Sequence, residues 1–232
     1  MSSQKTCCCL NLGRVNYSEA LKLQRLLYEK VIAGEEENYL ILLEHNPVIT
    51  IGRSGKRENL LVSEEYLKDA GIEIHSVERG GDITYHGPGQ IVGYPILDLR
   101  EERDIHLFVR RVEEVMIRVL AHYDIKGERI KGLTGVWVEN KKIGAIGMAV
   151  RKWVSFHGFA FNVNPDMSHF DLITPCGIKD KGVTSLSALL GNSLPCIDEI
   201  RNVIVESFAD VFTLSMKYAD ITMININGET LD

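Results

Sequence analysis

Arg79-Gly80-Gly81-Asp82-Ile83-Thr84-Tyr85-His86-Gly87-Pro88-Gly89-Gln90 sets four glycines and a proline among arginine, threonine, tyrosine, histidine and glutamine side chains. A strand-like run, Ile72–Val77, precedes it, and a second apolar run, Ile91–Leu97, follows. Glycines at this density let a backbone approach a ligand closely and adopt positive φ. A tight hairpin whose glycines serve only the turn is the plain alternative, since Gly/Pro clusters are common loop punctuation. The polar side chains gathered in the same twelve positions favour a binding surface.

The chain has 232 residues, of which 45% are hydrophobic and 25% charged. This is an ordinary globular composition, and the length fits a single domain spanning residues 1–232 with a sizeable core. A net charge of −6 disfavours nonspecific nucleic-acid binding. An acidic protein partner would need a local basic patch, for which Arg100, Arg103, Arg110, Arg111, Arg151 and Lys152 are candidates. The N-terminus lacks the pattern of a signal peptide, and no apolar run approaches the ~20 residues of a membrane span. A cytoplasmic protein with reduced cysteines is expected. Cys7-Cys8-Cys9 has no zinc-site spacing and reads as small buried apolar residues.

Along the chain, residues 6–12 read as a strand and Ser18 as the cap of a helix ending at Gly34. Residues 39–43 and 48–51 have strand length, and 63–70 form a short helix. Asp104 caps a helix to about His122, with Leu107, Val112, Val115, Met116, Val119 and Leu120 facing the core. Residues 134–138 and 142–150 read as a hairpin, followed by a strand over 153–163. A short helix follows Thr184-Ser185, a last helix covers 198–212, and 221–226 is a candidate edge strand. The fold class expected is α+β, a mixed and mostly antiparallel sheet flanked by helices.

Pro175-Cys176-Gly177 fixes a turn with space on both sides of the thiol, as a nucleophile needs. A buried structural thiol is the alternative; Cys196, beside a helix start, is read that way. A thiol is mostly protonated at neutral pH and needs activation. His86, His157 and His169 are available for it. So is Lys142, which heads the small and apolar run Ile143-Gly144-Ala145-Ile146-Gly147, although an exposed turn lysine is its bland interpretation.

RGGDITYHGPGQ, KIGAIG, HGFAFNV and ITPCGI occur in this order between about residue 40 and residue 190. Together they resemble the octanoyltransferase family, which is related in fold to biotin and lipoate protein ligases. The resemblance implies that fold, and a catalytic pair of Cys176 and Lys142. It implies substrate contacts from Arg79, Gly80, Gly81, Asp82, Ile83, Thr84, Tyr85 and His86, from Ala145, Ile146 and Gly147, and from Gly158, Phe159 and Ala160. It implies an octanoyl-acyl-carrier protein donor. The acceptor would be a lysine on apo lipoyl domains of 2-oxoacid dehydrogenase complexes or the glycine cleavage H protein. No metal or other cofactor is implied, nor a nucleic-acid or membrane partner. Small residues at Gly144, Ala145, Gly147, Gly158 and Ala160 are expected to wall an acyl tunnel, where an alkyl chain would gain roughly 0.8 kcal/mol per buried methylene. An ATP-dependent lipoate or biotin ligase, and a noncatalytic carrier-binding domain, are the competing functions; the PCG cysteine argues against both.

Overall fold

A computed structural model describes residues 5–34, 37–174 and 181–219. In chain order the elements are β1 (Thr6–Val15), α1 (Tyr17–Ala33), β2 (Asn38–His45), β3 (Val48–Ile51), α2 (Glu64–Asp69), β4 (Glu73–Ser76), β5 (Ile83–His86), β6 (Gln90–Ile96), α3 (Ile105–His122), β7 (Glu128–Ile130), β8 (Leu133–Val138), β9 (Lys141–Arg151), β10 (Val154–Asn162), β11 (Gly182–Val183), α4 (Leu186–Leu190), α5 (Ile197–Phe212) and β12 (Ser215–Ala219). Two sheets form. The larger has the order β12-β1-β2-β6-β10-β9-β8-β7, with β11 added to β9; the smaller is β4-β3-β5. Pairing is parallel for β1 with β2 and β12, for β3 with β4 and for β9 with β11, and antiparallel elsewhere. The mixed, mostly antiparallel α+β class read from the sequence is therefore the observed one.

Helix α1 packs its Ala20, Leu23, Leu27 and Val31 stripe against one face of the larger sheet. Helices α3 and α5 cover the other face, with Val112, Val115, Met116, Ile200, Ile204 and Phe208 fully buried. A third cluster, including Ile49, Tyr85 and Phe170, fills the space beneath the smaller sheet. Cys7, Cys8 and Cys9 are buried between these layers, and burial raises the pKa of all three thiols. They are inert packing residues, as their spacing suggests.

Several local expectations are corrected. Helix α1 starts at Tyr17, not at a Ser18 cap; Ala20 N–H bonds Asn16 O (3.1 Å), while the Asn16 side chain accepts from Asn46. On α3 the stripe runs through Phe108, and Leu107 is exposed because it lies a residue off that face. Cys196 sits exposed at the start of α5 and is not a core thiol. The strand expected over 221–226 lies outside the described residues, whereas the sheet edge that is described, β12, was not anticipated.

Residues 79–90 do not form a hairpin between two neighbouring strands. Strand β5 pairs with β3 in the smaller sheet, and Gly87-Pro88-Gly89 then carries the chain across to β6 in the larger one. The segment is the bridge between the sheets. Glu44 fixes the crossing: Oε2 accepts from Gly89 N–H (2.7 Å) and Oε1 pairs with the buried Arg201 of α5 (2.9 Å).

Strands β6 and β10 meet at glycine. A Cβ on Gly158 would overlap the carbonyl oxygen of Gly93, and one on Gly93 would overlap the Phe159 ring. A Cβ on Gly144 would lie 2.5 Å from Met116 Sδ, and one on Gly147 2.9 Å from Arg79 Cδ. These glycines are small because neighbouring protein atoms require it, which corrects the expectation that they are small for an acyl chain. Gly158→Ala should therefore cost about 1–3 kcal/mol by overpacking, read as a lowered urea midpoint. Its activity, measured well below that midpoint, should show no new preference for shorter acyl donors. A stable variant with shifted chain-length selectivity would restore the tunnel-wall role.

Candidate functional site

A cavity of about 820 Å³ lies between the residue 79–86 segment and the β6, β10 and β9 strands, with Ile105 and Val109 of α3 at its side. Arg79, Gly80, Gly81, Asp82, Ile83, Thr84, His86, Lys142, Ala145, Ile146, Gly147, Gly158, Phe159 and Ala160 all line it. Of the described residues proposed from the sequence, Tyr85 is the exception. Strand alternation turns it away from Thr84 and His86, into the small-sheet core, where its ring meets those of His169 (4.8 Å) and Phe170 (5.6 Å). His169 is thereby placed off the cavity as well. Cys176 lies outside the described residues.

Two charged residues of the segment are spent on holding it in place. The buried Arg79 guanidinium donates to Thr50 O (2.7 Å), to Thr50 Oγ1 (2.9 and 3.0 Å) and to Gly80 O (3.0 Å). The Asp82 carboxylate accepts from Asn59 Nδ2 (2.6 Å) and from the Lys56 and Ile83 N–H groups. Gly80 N–H bonds Met148 O (2.8 Å), pinning the segment to β9. These bonds satisfy backbone and side-chain groups that a glycine-rich turn would otherwise leave orphaned.

Lys142 is half-buried and sits near the start of β9, opposite Trp137 of β8 and Val183 of β11. Its Nζ lies 4.8 Å from the Trp137 ring centroid, a cation–π contact. The stem passes Gly135, whose backbone takes φ 120° and where a Cβ would lie 2.5 Å from the Gly144 carbonyl oxygen. Neighbouring Lys141 is exposed. The chain on both sides of residues 175–180 is anchored: Thr174 N–H bonds Asn59 O (2.8 Å), and Thr184 N–H bonds Lys142 O (2.9 Å).

Histidines give the cavity its polar character. His86 Nδ1 lies 2.6 Å from Gln90 Oε1. His45, 5.9 Å from His86 between ring centroids, donates from Nδ1 to Val15 O (2.9 Å) and accepts the Tyr94 hydroxyl at Nε2 (2.7 Å). His157 takes a left-handed backbone (φ 56°) inside β10, which turns its N–H out to Gln24 Oε1 (2.9 Å). Burial lowers all three pKa values, to about 3 for His86 and about 4 for His45 and His157. All three are neutral at pH 7; His45 and His86 are hydrogen-bonded through the ring, whereas His157 Nε2 is buried with no hydrogen-bond partner among the described residues. Gln90, Asn162, Tyr94 and His45 were not singled out from the sequence. Gln90 and Asn162 were inside quoted motifs, but only the fold pairs them. Among the described residues no group of three or more His, Cys, Asp or Glu is arranged to hold a metal ion, and no helix is long and apolar enough to cross a membrane.

The basic candidates for a partner surface are largely engaged. Arg100 pairs with Asp98 (2.6 Å), Arg110 with Glu113 (2.7 Å), Arg111 with Glu102, and Arg103 stacks over Trp153.

Buried neutral histidines make stability acid-sensitive. Each binds a proton in the unfolded chain below its ordinary value near 6.5 but not in the folded one until about pH 4 or 3. Their contribution is whole above pH 6.5 and is lost as pH falls. Each adds a slope of about 1.4 kcal/mol per pH unit in that window. Urea midpoints measured between pH 7 and 5 should fall accordingly, and His157→Gln should flatten the dependence by one proton. An unchanged slope in that variant would contradict its neutral burial.

Comparison with known proteins is consistent with this geometry. The Lipoyl protein ligase A/B catalytic domain family matches residues 16–209. The chain is 50% identical over 210 residues to an octanoyltransferase of Caldicellulosiruptor saccharolyticus, covering 89% of each chain. It is 46% identical to one of Solibacter usitatus, covering 91% of this chain and 96% of the other. Among solved structures, a lipoate-protein ligase A bound with ATP superimposes with a TM-score of 0.79 at 19% identity, covering 93% of this chain and 89% of that one. A bipartite lipoate protein ligase from Thermoplasma acidophilum gives 0.76 at 20%, covering 93% and 87%; at these identities the two ligases show the shared fold alone. The family match across most of the chain and the near-full-length identity to octanoyltransferases lead to one conclusion: the chain is an acyltransferase that belongs to the octanoyltransferase family, with a lipoyl protein ligase A/B catalytic domain.

Proposed function

We propose that the protein moves an octanoyl group from octanoyl-acyl-carrier protein to a lysine amine of apo lipoyl domains, by way of a thioester on Cys176. The observation that carries this reading is the convergence of Lys142 with the residue 79–86, 145–147 and 158–160 segments on one cavity, most of whose strand-borne lining is apolar. The backbone following Cys176 supports it, because Val183 pairs with Lys142 itself.

In the first half-reaction the Cys176 thiolate attacks the donor thioester, a new S–C bond forms, and the carrier thiolate leaves. In the second, the acceptor amine attacks the octanoyl-enzyme, a C–N bond forms and the C–S bond to Cys176 breaks. The proton lost by nitrogen passes through Lys142 and ends on a thiol, so charge and atoms balance. As an ammonium, Lys142 favours the thiolate; as an amine, it accepts a proton. Ala145, Ile146, Phe159 and Ala160 take the alkyl chain.

Cys176→Ser should retain the fold and lose nearly all transfer, since a hydroxyl is far less ionised than a thiol, whereas Cys196→Ser should stay active. Lys142→Met should raise the pH midpoint for alkylation of Cys176 and slow both half-reactions. Lys142→Arg, always charged, should acylate better than the Met variant and remain poor at transfer. An unchanged alkylation midpoint in Lys142→Met would sink the pairing. Modification that required ATP and free octanoate would favour a ligase.

A further inference from the structure

A line of side-chain amides runs from the cavity to the strand beside Lys142, and its direction is fixed. Thr184 O is a backbone carbonyl and can only accept, so the Asn162 group bonded to it at 3.0 Å is the Nδ2 donor. Asn162 therefore presents Oδ1 to Gln90, whose Nε2 donates to it at 2.9 Å. The same Gln90 nitrogen faces a second backbone acceptor, Tyr85 O, at 3.4 Å. Gln90 is left with Oε1 toward His86 Nδ1, 2.6 Å away. An amide oxygen cannot donate, so Nδ1 carries the proton. His86 Nε2 then holds a lone pair, and no described residue bonds to it. Gln90 is 2% exposed and Asn162 5% exposed, so water has little access to rearrange the line. His86, Gln90 and Asn162 all line the cavity.

We propose that Gln90 and Asn162 are positioning residues that lock His86 as the Nδ1–H tautomer, so that Nε2 accepts an N–H of the acceptor lysine amine and aims its lone pair at the acyl carbon. This assignment rests on the transfer reading above. A lone pair at Nε2 repels the carbonyl oxygen of a thioester and attracts the N–H of an amine, so it serves the second half-reaction. With its pKa pushed down to about 3 by burial, His86 orients the amine without removing its proton, and Lys142 keeps that role. The line also ends on Thr184, whose own N–H bonds Lys142 O. One set of hydrogen bonds thus sets the orienting group and the main chain of the lysine together.

The test uses the full chain with 15N-labelled histidine, the His86 signals being assigned by their loss in His86→Asn. The native protein should show Nδ1 protonated and Nε2 as a bare acceptor. Gln90→Leu should lose that preference and slow transfer from preformed acyl-enzyme to a lipoyl domain on the order of 100-fold, far more than it slows acylation. Gln90→Glu, which still accepts from Nδ1–H but can no longer donate to Asn162 Oδ1, should keep the tautomer and recover part of the transfer rate lost in Gln90→Leu. A native Nε2–H tautomer would overturn the proposal. So would equal slowing of both half-reactions in Gln90→Leu, which is the mark of a merely structural role. Should Gln90→Leu fail to fold, the native tautomer and Gln90→Glu decide the matter. If no acyl-enzyme forms in the native protein, the thioester reading fails on its own, and the tautomer measurement still judges this one.

Discussion

Strands β6 and β10 pack so closely that a Cβ on Gly158 would overlap the Gly93 carbonyl oxygen and one on Gly93 would overlap the Phe159 ring. Much of the site follows from that contact. It sets Phe159 and Ala160 along the cavity on β10 and Val92 and Tyr94 along it on β6. The register of β10 with β9 is Gly158 opposite Gly147, and Gly147 in turn has no room for a side chain beside Arg79. Two sheets and the bridging residues 79–90 are thereby drawn onto one cavity. A side chain inserted at Gly158 must displace the backbone of Gly93, and one at Gly93 must displace the Phe159 ring, which a close-packed interior resists.

Most polar groups of the site are paired, because burying a polar or charged group without a partner is costly; His157 Nε2 is an exception among the described residues. His45 meets this by donating to Val15 O and accepting from Tyr94. His86 meets it through Gln90. Arg79 stays charged and is wrapped by Thr50 and Gly80 oxygens. The outcome is a cavity in which the half-buried Lys142 rests over Trp137 and pairs through its backbone with Val183.

Much of the fold was legible in the sequence because it rests on local rules. Asp104 caps its helix as read, the short helix expected over 63–70 forms behind Ser63, and Gly34 closes α1 in the left-handed region. The β8–β9 hairpin was legible because its strands are joined by a short turn, but distant sheet neighbours were not, because pairing β5 with β3 and sending β6 to another sheet depends on contacts far apart in sequence. The glycines of β9 and β10 were found but explained by the wrong neighbour, since a sequence shows that a residue is small and not what fills the space beside it. Tyr85 was assigned to the cavity with its motif although strand alternation alone puts it opposite Thr84 and His86. Gln90 counted only as one of several polar side chains in its loop and Asn162 carried no signal; their pairing is visible only in the fold.

The most direct test of the account is the intact mass of the protein after brief exposure to octanoyl-acyl-carrier protein without ATP, followed by a chase with apo lipoyl domain. The account predicts a gain of one octanoyl group located on Cys176, and its disappearance from the enzyme as the lipoyl domain gains the same mass on lysine. Octanoylated lipoyl domain formed with no adduct on Cys176 at any time, or an adduct that the lipoyl domain fails to discharge, would contradict it.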